Sequence, residues 1–172
     1  MALHMENKFV SLLYESWADL DLAIGGLTPE QATERADGGS CIAWAVAHVT
    51  QMLDSFVVVR FLGLARHPVI GDPAFRTGGS GEALDWPLIT GSVREVRHAA
   101  KRFLDLATES DLQRTVPYDG SIEYLRPTGL PLDYAVLRTA AHHFMHAGEI
   151  ETVRSRLGCP IERGRPWGLS LL

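Results

Sequence analysis

Positive charge is in short supply in this chain. A formal net charge of −5 and a pI near 5.8 leave no basic footprint of the kind that phosphate contacts need, so nucleic acid is not an expected partner. Cysteine is scarce too. Cys41 and Cys159 are the only two. They are not spaced as a CxxC or zinc-finger pair, and two are too few for a disulfide framework, so a reducing cytoplasm is the expected location. Long apolar runs are also missing. Glu6, Glu15, Asp19 and Asp21 interrupt the N-terminal region, which argues against a secretory signal. No window approaches the roughly 20 apolar residues that span a bilayer, so no membrane is expected. There is no internal repeat and no low-complexity tract.

What remains is ordinary globular chemistry: 172 residues, 46% hydrophobic and 22% charged. That size and composition suit one domain spanning residues 1–172, with no weight placed on the opening Met1–His4. Four segments carry helical periodicity. The first runs from about Glu6 to Ile24, with Phe9, Leu12, Leu13, Trp17, Leu20 and Ile24 at i, i+3, i+4 spacings, and stops at Gly25-Gly26. The second begins after Ser40 as N-cap, continues to about Leu62, and is apolar on more than one side. The third spans Ile89 to Ala107, with Val93, Val96, Ala100, Phe103 and Leu104 on one stripe. The fourth runs from about Leu132 to Leu157 and ends at Gly158, with Pro160 beyond. The expected fold is therefore all-α, a four-helix bundle with long connecting loops. Residues 65–86 form a glycine- and proline-rich loop of the length that often serves binding. Asp119-Gly120, between short β-prone runs, suggests a small hairpin.

The last helix contains HHFMHAGEIETVRSRLG, three histidines within five positions. His142 and His146, at i, i+4, lie about 40° apart on one face with about 6 Å between them along the axis, a spacing at which two imidazoles can share an ion. His143 is rotated away from the pair and is expected to face elsewhere. Zinc or nickel usually needs at least three protein ligands. A third candidate, His48, stands in the apolar run AWAVAHVTQM on a stripe with Cys41, Trp44, Ala45, Met52 and Ser55. A buried imidazole needs partners for both ring nitrogens, and these can be a metal or plain hydrogen bonds. Arg138 and Glu149 fall on the face of the histidine pair. Glu149 could orient a histidine, accept a proton or join the coordination sphere, and Arg138 could bind a substrate carboxylate; for both, a solvated edge is the bland alternative. The HExxH metalloprotease pattern and the Glu-x-x-His pattern of di-iron bundles are both absent. His67 and His98 read as surface residues, and Cys41 as a packing residue or at most a distant ligand.

The segments SCIAWAVAHVTQM and HHFMHAGEIETVRSRLG resemble the second-helix and last-helix blocks of the DinB/YfiT-like superfamily, and LTPEQATERADGGSCIAW resembles its connection between helices one and two. The resemblance implies an up-down-down-up four-helix bundle. It also implies metal ligands at His48, His142 and His146, a divalent ion (nickel or zinc), and frequent homodimers. Glu149 stands where glutamine is frequent in that family. Characterised members include transferases and isomerases that use low-molecular-weight thiols. The activity expected is activation of a thiol cosubstrate or of water on a small-molecule substrate. The alternative is a non-catalytic metal-binding dimeric bundle, with the all-round apolar second helix as the surface that a second copy would cover.

Overall fold

The computed structural model describes residues 7–161, so the expected helix start at Glu6 lies outside the described residues. Four long helices build the molecule. Helix α1 (Lys8–Ile24) is capped by Asn7, whose side chain accepts from the amides of Phe9 and Val10. After the short α2 (Pro29–Thr33), helix α3 (Ile42–Leu53) runs into a π-helical turn, Asp54–Val59. Helix α4 spans Trp86–Leu104, and after the short α5 (Glu109–Leu112) comes α6, Leu132–Arg156.

Contacts at the helix ends set the directions. Nη1 of Arg154, near the end of α6, donates to the carbonyls of Ala23 and Gly25 at the end of α1, so α1 and α6 run parallel. Arg97 pairs with Asp21, while Asp105, further along α4, accepts from Tyr14; α4 is thus antiparallel to α1. The amide of Cys41, entering α3, donates to Gly81 shortly before α4 begins, so α3 starts beside α4 and runs with it. The bundle is up-down-down-up, and α6 packs against both α1 and α3. Leu13 and Leu20 of α1, Val46 and Val49 of α3, and Val136 and Ile150 of α6 are all fully buried between the helices. Each such side chain contributes about 1.5–3 kcal/mol by leaving water.

Several expectations are corrected. The cap of α3 is Cys41, not Ser40: its Sγ accepts from the amide of Trp44 at 3.4 Å. Helix α4 begins at Trp86, because Asp85 caps it through the amide of Leu88 and Pro87 suits a first turn. Short helices α2 and α5 each carry a capping box, Thr28 with Gln31 and Thr108 with Asp111. Asp119-Gly120 does not turn a hairpin. The two-residue strands β1 (Thr115–Val116) and β2 (Leu130–Pro131) pair antiparallel across a wider loop that contains a 3₁₀ turn, Glu123–Leu125. Tyr118 folds back inside that loop, and its hydroxyl accepts from the amide of Ile122.

The stretch Ile42–Val59 is long and apolar enough to cross a membrane by composition alone, contrary to the sequence expectation. Within the bundle 78% of it is buried, as befits the central helix of a core. From Cys41 to Gln51 every residue is buried except His48. The cover on the outer side is the chain's own 65–86 loop. Trp44 Nε1 donates to Ala74 O, and Gln51 Nε2 donates to Ile70 O and Asp72 O. Among the described residues, the apolar circumference of α3 is thus covered by the chain's own loop and bundle.

Candidate metal centre

His48, the exception on α3, is half-buried because it opens toward α6 at the level of His142 and His146. One ligand atom from each of the three lies within 4.8 Å of the others. The His48 ring stacks on Trp44 at 4.7 Å and 9°, and meets the rings of His142 and His146 edge-on at 4.9 and 5.1 Å. Its Nδ1 lies 2.7 Å from the carbonyl oxygen of Phe75. A carbonyl only accepts, so Nδ1 carries the proton and Nε2 keeps its lone pair.

His146 is oriented from the other side. Its Nδ1 is 2.5 Å from Oε2 of Glu149. The carboxylate sits off the ring N–H direction, since Nδ1 makes no well-aligned hydrogen bond. The Nε2 atoms of His146 and His142 face each other at 3.1 Å, while Nδ1 of His142 is buried without a partner. Two imidazole nitrogens at that distance need a proton between them or a cation beside them.

Electrostatics disfavour a proton on His142 and His146. Burial, then the neighbouring His146 and His48, then Arg138, push His142 down to about 3. Burial also lowers His146, against the opposing carboxylate of Glu149. Neutral imidazoles are the form that ligates metal. Three of them are a borderline-soft nitrogen set, suited to zinc, nickel and their neighbours and unsuited to magnesium or calcium. Orphaned nitrogens, neutral rings and donor type all fit a divalent transition ion. Among the described residues no fourth histidine, cysteine or carboxylate joins the group.

The remaining sequence candidates fall as follows. His143 faces away from the pair, fully buried, with Nδ1 2.8 Å from Thr139 O. Arg138 is exposed, one turn before His142. Cys41 is a helix cap with Sγ against Ala83 O, and is no ligand. His98 is exposed, but His67 is half-buried and structural: its Nδ1 accepts from the amides of Val69 and Ile70, and Nε2 meets Glu95 at 3.2 Å. The carbonyl of Phe75 could not be found from sequence, since any residue supplies one. Tyr134 could have been, because it continues the His146, His142, Arg138 series by another four positions.

No curated protein matches the chain. The family model of the DinB superfamily matches residues 12–150, a stretch that contains His48, His142, His146 and Glu149. With that match over most of its length, the chain belongs to the DinB superfamily.

Proposed function

We propose that the protein is a divalent-metal-dependent enzyme in which His48, His142 and His146 hold one zinc or nickel ion, used to activate a thiol cosubstrate or water against a small-molecule substrate. The observation that carries this reading is the count of ligands. A structural site is closed by four protein ligands, whereas three leave a position open for a reacting molecule. When bound, the ion supplies a lowered pKa to a coordinated water or thiol. The chain's own residues do the rest. Phe75 O and Glu149 hold the imidazoles of His48 and His146 with Nε2 turned inward. Glu149, with an exposed carboxylate, can take up the proton released from an incoming thiol or water through solvent. Trp44 presses on the back of His48 and excludes water from that side.

The second reading is a metal-binding bundle without turnover that acts as a homodimer. What favours a second copy is limited to exposed apolar side chains such as Leu137 and Met145 on α6. The cytoplasm remains the expected location, on the reduced cysteines Cys41 and Cys159.

The deciding experiment is elemental analysis of wild type beside His48→Ala, His142→Ala and His146→Ala after gel filtration in chelator-free buffer, followed by screening for thiol transfer and hydrolysis. One equivalent in wild type, lost in each variant, together with metal-dependent turnover, is the expected result. Metal without turnover in either assay would favour the second reading. No metal in wild type even after refilling would end both.

A further inference from the structure

Helix α6 carries Tyr134, Arg138, His142 and His146 at successive i, i+4 positions, so they share one side of the helix and climb about 6 Å per step. Tyr134 and His142 are half-buried, and Arg138 between them is exposed. Arg138 makes no hydrogen bond or ion pair among the described residues. Several other arginines are engaged: Arg60 with Asp119, Arg97 with Asp21, and Arg154 with three backbone carbonyls. On the helix Arg138 stands one turn from each of Tyr134 and His142, between them.

The loop joining β1 to β2 adds a second phenol. The hydroxyl of Tyr124 meets that of Tyr134, their rings edge-to-face at 6.2 Å and 84°. One hydroxyl donates to the other, which leaves one O–H free to donate, on a residue one helical turn from Arg138 or on its partner. The nearest acid on the helix, Asp133, is turned to the amide of Tyr134 at 2.6 Å. Glu149 is eleven residues further along and engaged with His146. This edge therefore offers unsatisfied donors, although the chain as a whole is acidic.

We propose that Arg138, with the hydroxyls of Tyr134 and Tyr124, is an anion-recognition edge beside the three histidines, and that the substrate or cosubstrate carries a carboxylate about one helical turn from its reacting atom. The inference rests on the metal-enzyme reading for the position of the reacting atom, but the edge itself consists of residues that do not ligate metal. A planar guanidinium fork matches a carboxylate with two parallel hydrogen bonds. The loop that carries Tyr124 would help select for length.

The test uses succinate as probe and succinamide as its uncharged counterpart, titrated calorimetrically into wild type, Arg138→Gln, Arg138→Lys and Tyr134→Phe. Each is measured metal-free and zinc-loaded, because a carboxylate can also ligate the ion directly. In the metal-free protein succinate is expected to bind and succinamide not. Arg138→Gln should weaken binding about tenfold, Arg138→Lys less, and Tyr134→Phe about threefold. No binding of succinate at millimolar concentration, equal binding of the two probes, or an unchanged Kd in Arg138→Gln would each overturn the proposal. Metal content separates the two ideas: Arg138→Gln that keeps its zinc but shows no change in Kd sinks only the anion edge, whereas His48→Ala that retains both its metal and succinate binding sinks the metal site alone.

Discussion

Nδ1 of His48 lies 2.7 Å from the carbonyl oxygen of Phe75, twenty-seven residues away in the chain. A metal-site candidate on a core helix is thus oriented by a loop, and that loop is held by Trp44 and Gln51 of the same helix. Gln51→Leu leaves the carbonyls of Ile70 and Asp72 without their donor. It should destabilise the protein by about 2–4 kcal/mol and weaken zinc binding several-fold. Urea midpoints and competition with a zinc chelator report the two effects. Full zinc affinity in this variant would separate the loop from the site.

In the proposed metal site Glu149 would act through the ring of His146, which its carboxylate meets. Glu149→Ala should therefore keep one equivalent of bound zinc while its affinity falls about 10–100-fold, the usual scale for a lost outer partner. Glu149→Gln keeps an oxygen acceptor and should fall less. Complete loss of metal in the alanine variant would make Glu149 a ligand instead.

His143 differs from its neighbours in having nothing to coordinate. It is fully buried, its Nε2 has no partner, and burial with the charge of Arg97 pushes it down to about 3. His143→Leu should fold, retain one metal equivalent, and match or exceed wild type in stability, because an orphaned buried acceptor costs about 1–3 kcal/mol. Metal content and the denaturation midpoint check this, and metal loss would reassign the residue.

Asp54 is fully buried, and among the described residues only the amide of His67 donates to its carboxylate, at 3.3 and 3.4 Å. Burial raises its carboxyl above the usual 3.8. The native state then holds this proton more tightly than the unfolded chain, so the group costs stability as pH rises above about 4. Asp54→Asn keeps the acceptor and removes the charge. Its stability relative to wild type should climb between pH 4 and pH 7, as read from midpoints at both ends. A gap that is constant with pH would show that the carboxyl titrates normally.

The long helices were legible because their apolar spacing repeats over many turns, and the pair His142 and His146 because i, i+4 geometry is independent of tertiary detail, while His48 stood out as a lone polar ring in an apolar run. Errors fell where the signal is short or non-local. Cys41 displaced Ser40 as cap because the thiol lies within reach of the amide of Trp44 and the carbonyl of Ala83. Capping boxes at Thr28 and Thr108 were readable in principle, but each opens a helix of one turn or so with little periodicity behind it. The Asp119-Gly120 turn failed because packing of Tyr118 inside the loop outweighed local turn preference. The apolar surface of α3 suggested a partner molecule, and the chain's own loop supplied the cover. Nothing in residues 65–86 read as sequence says which carbonyl will meet which side chain.

The π-helical turn at Asp54–Val59 has a genetic meaning. A π turn holds one residue more than the helix around it needs, so this segment is equivalent to a single inserted codon whose slack was absorbed in place. Phe56, Val57 and Val58 within it are buried. Deleting one codon here would turn the end of the helix by about 100°, carrying Arg60 away from Tyr118 and Asp119. Trp44 and His48 precede the turn and would keep their register, whereas the loop that brings Phe75 O to His48 follows it, so the gain or loss of one residue here bears directly on how that histidine is held.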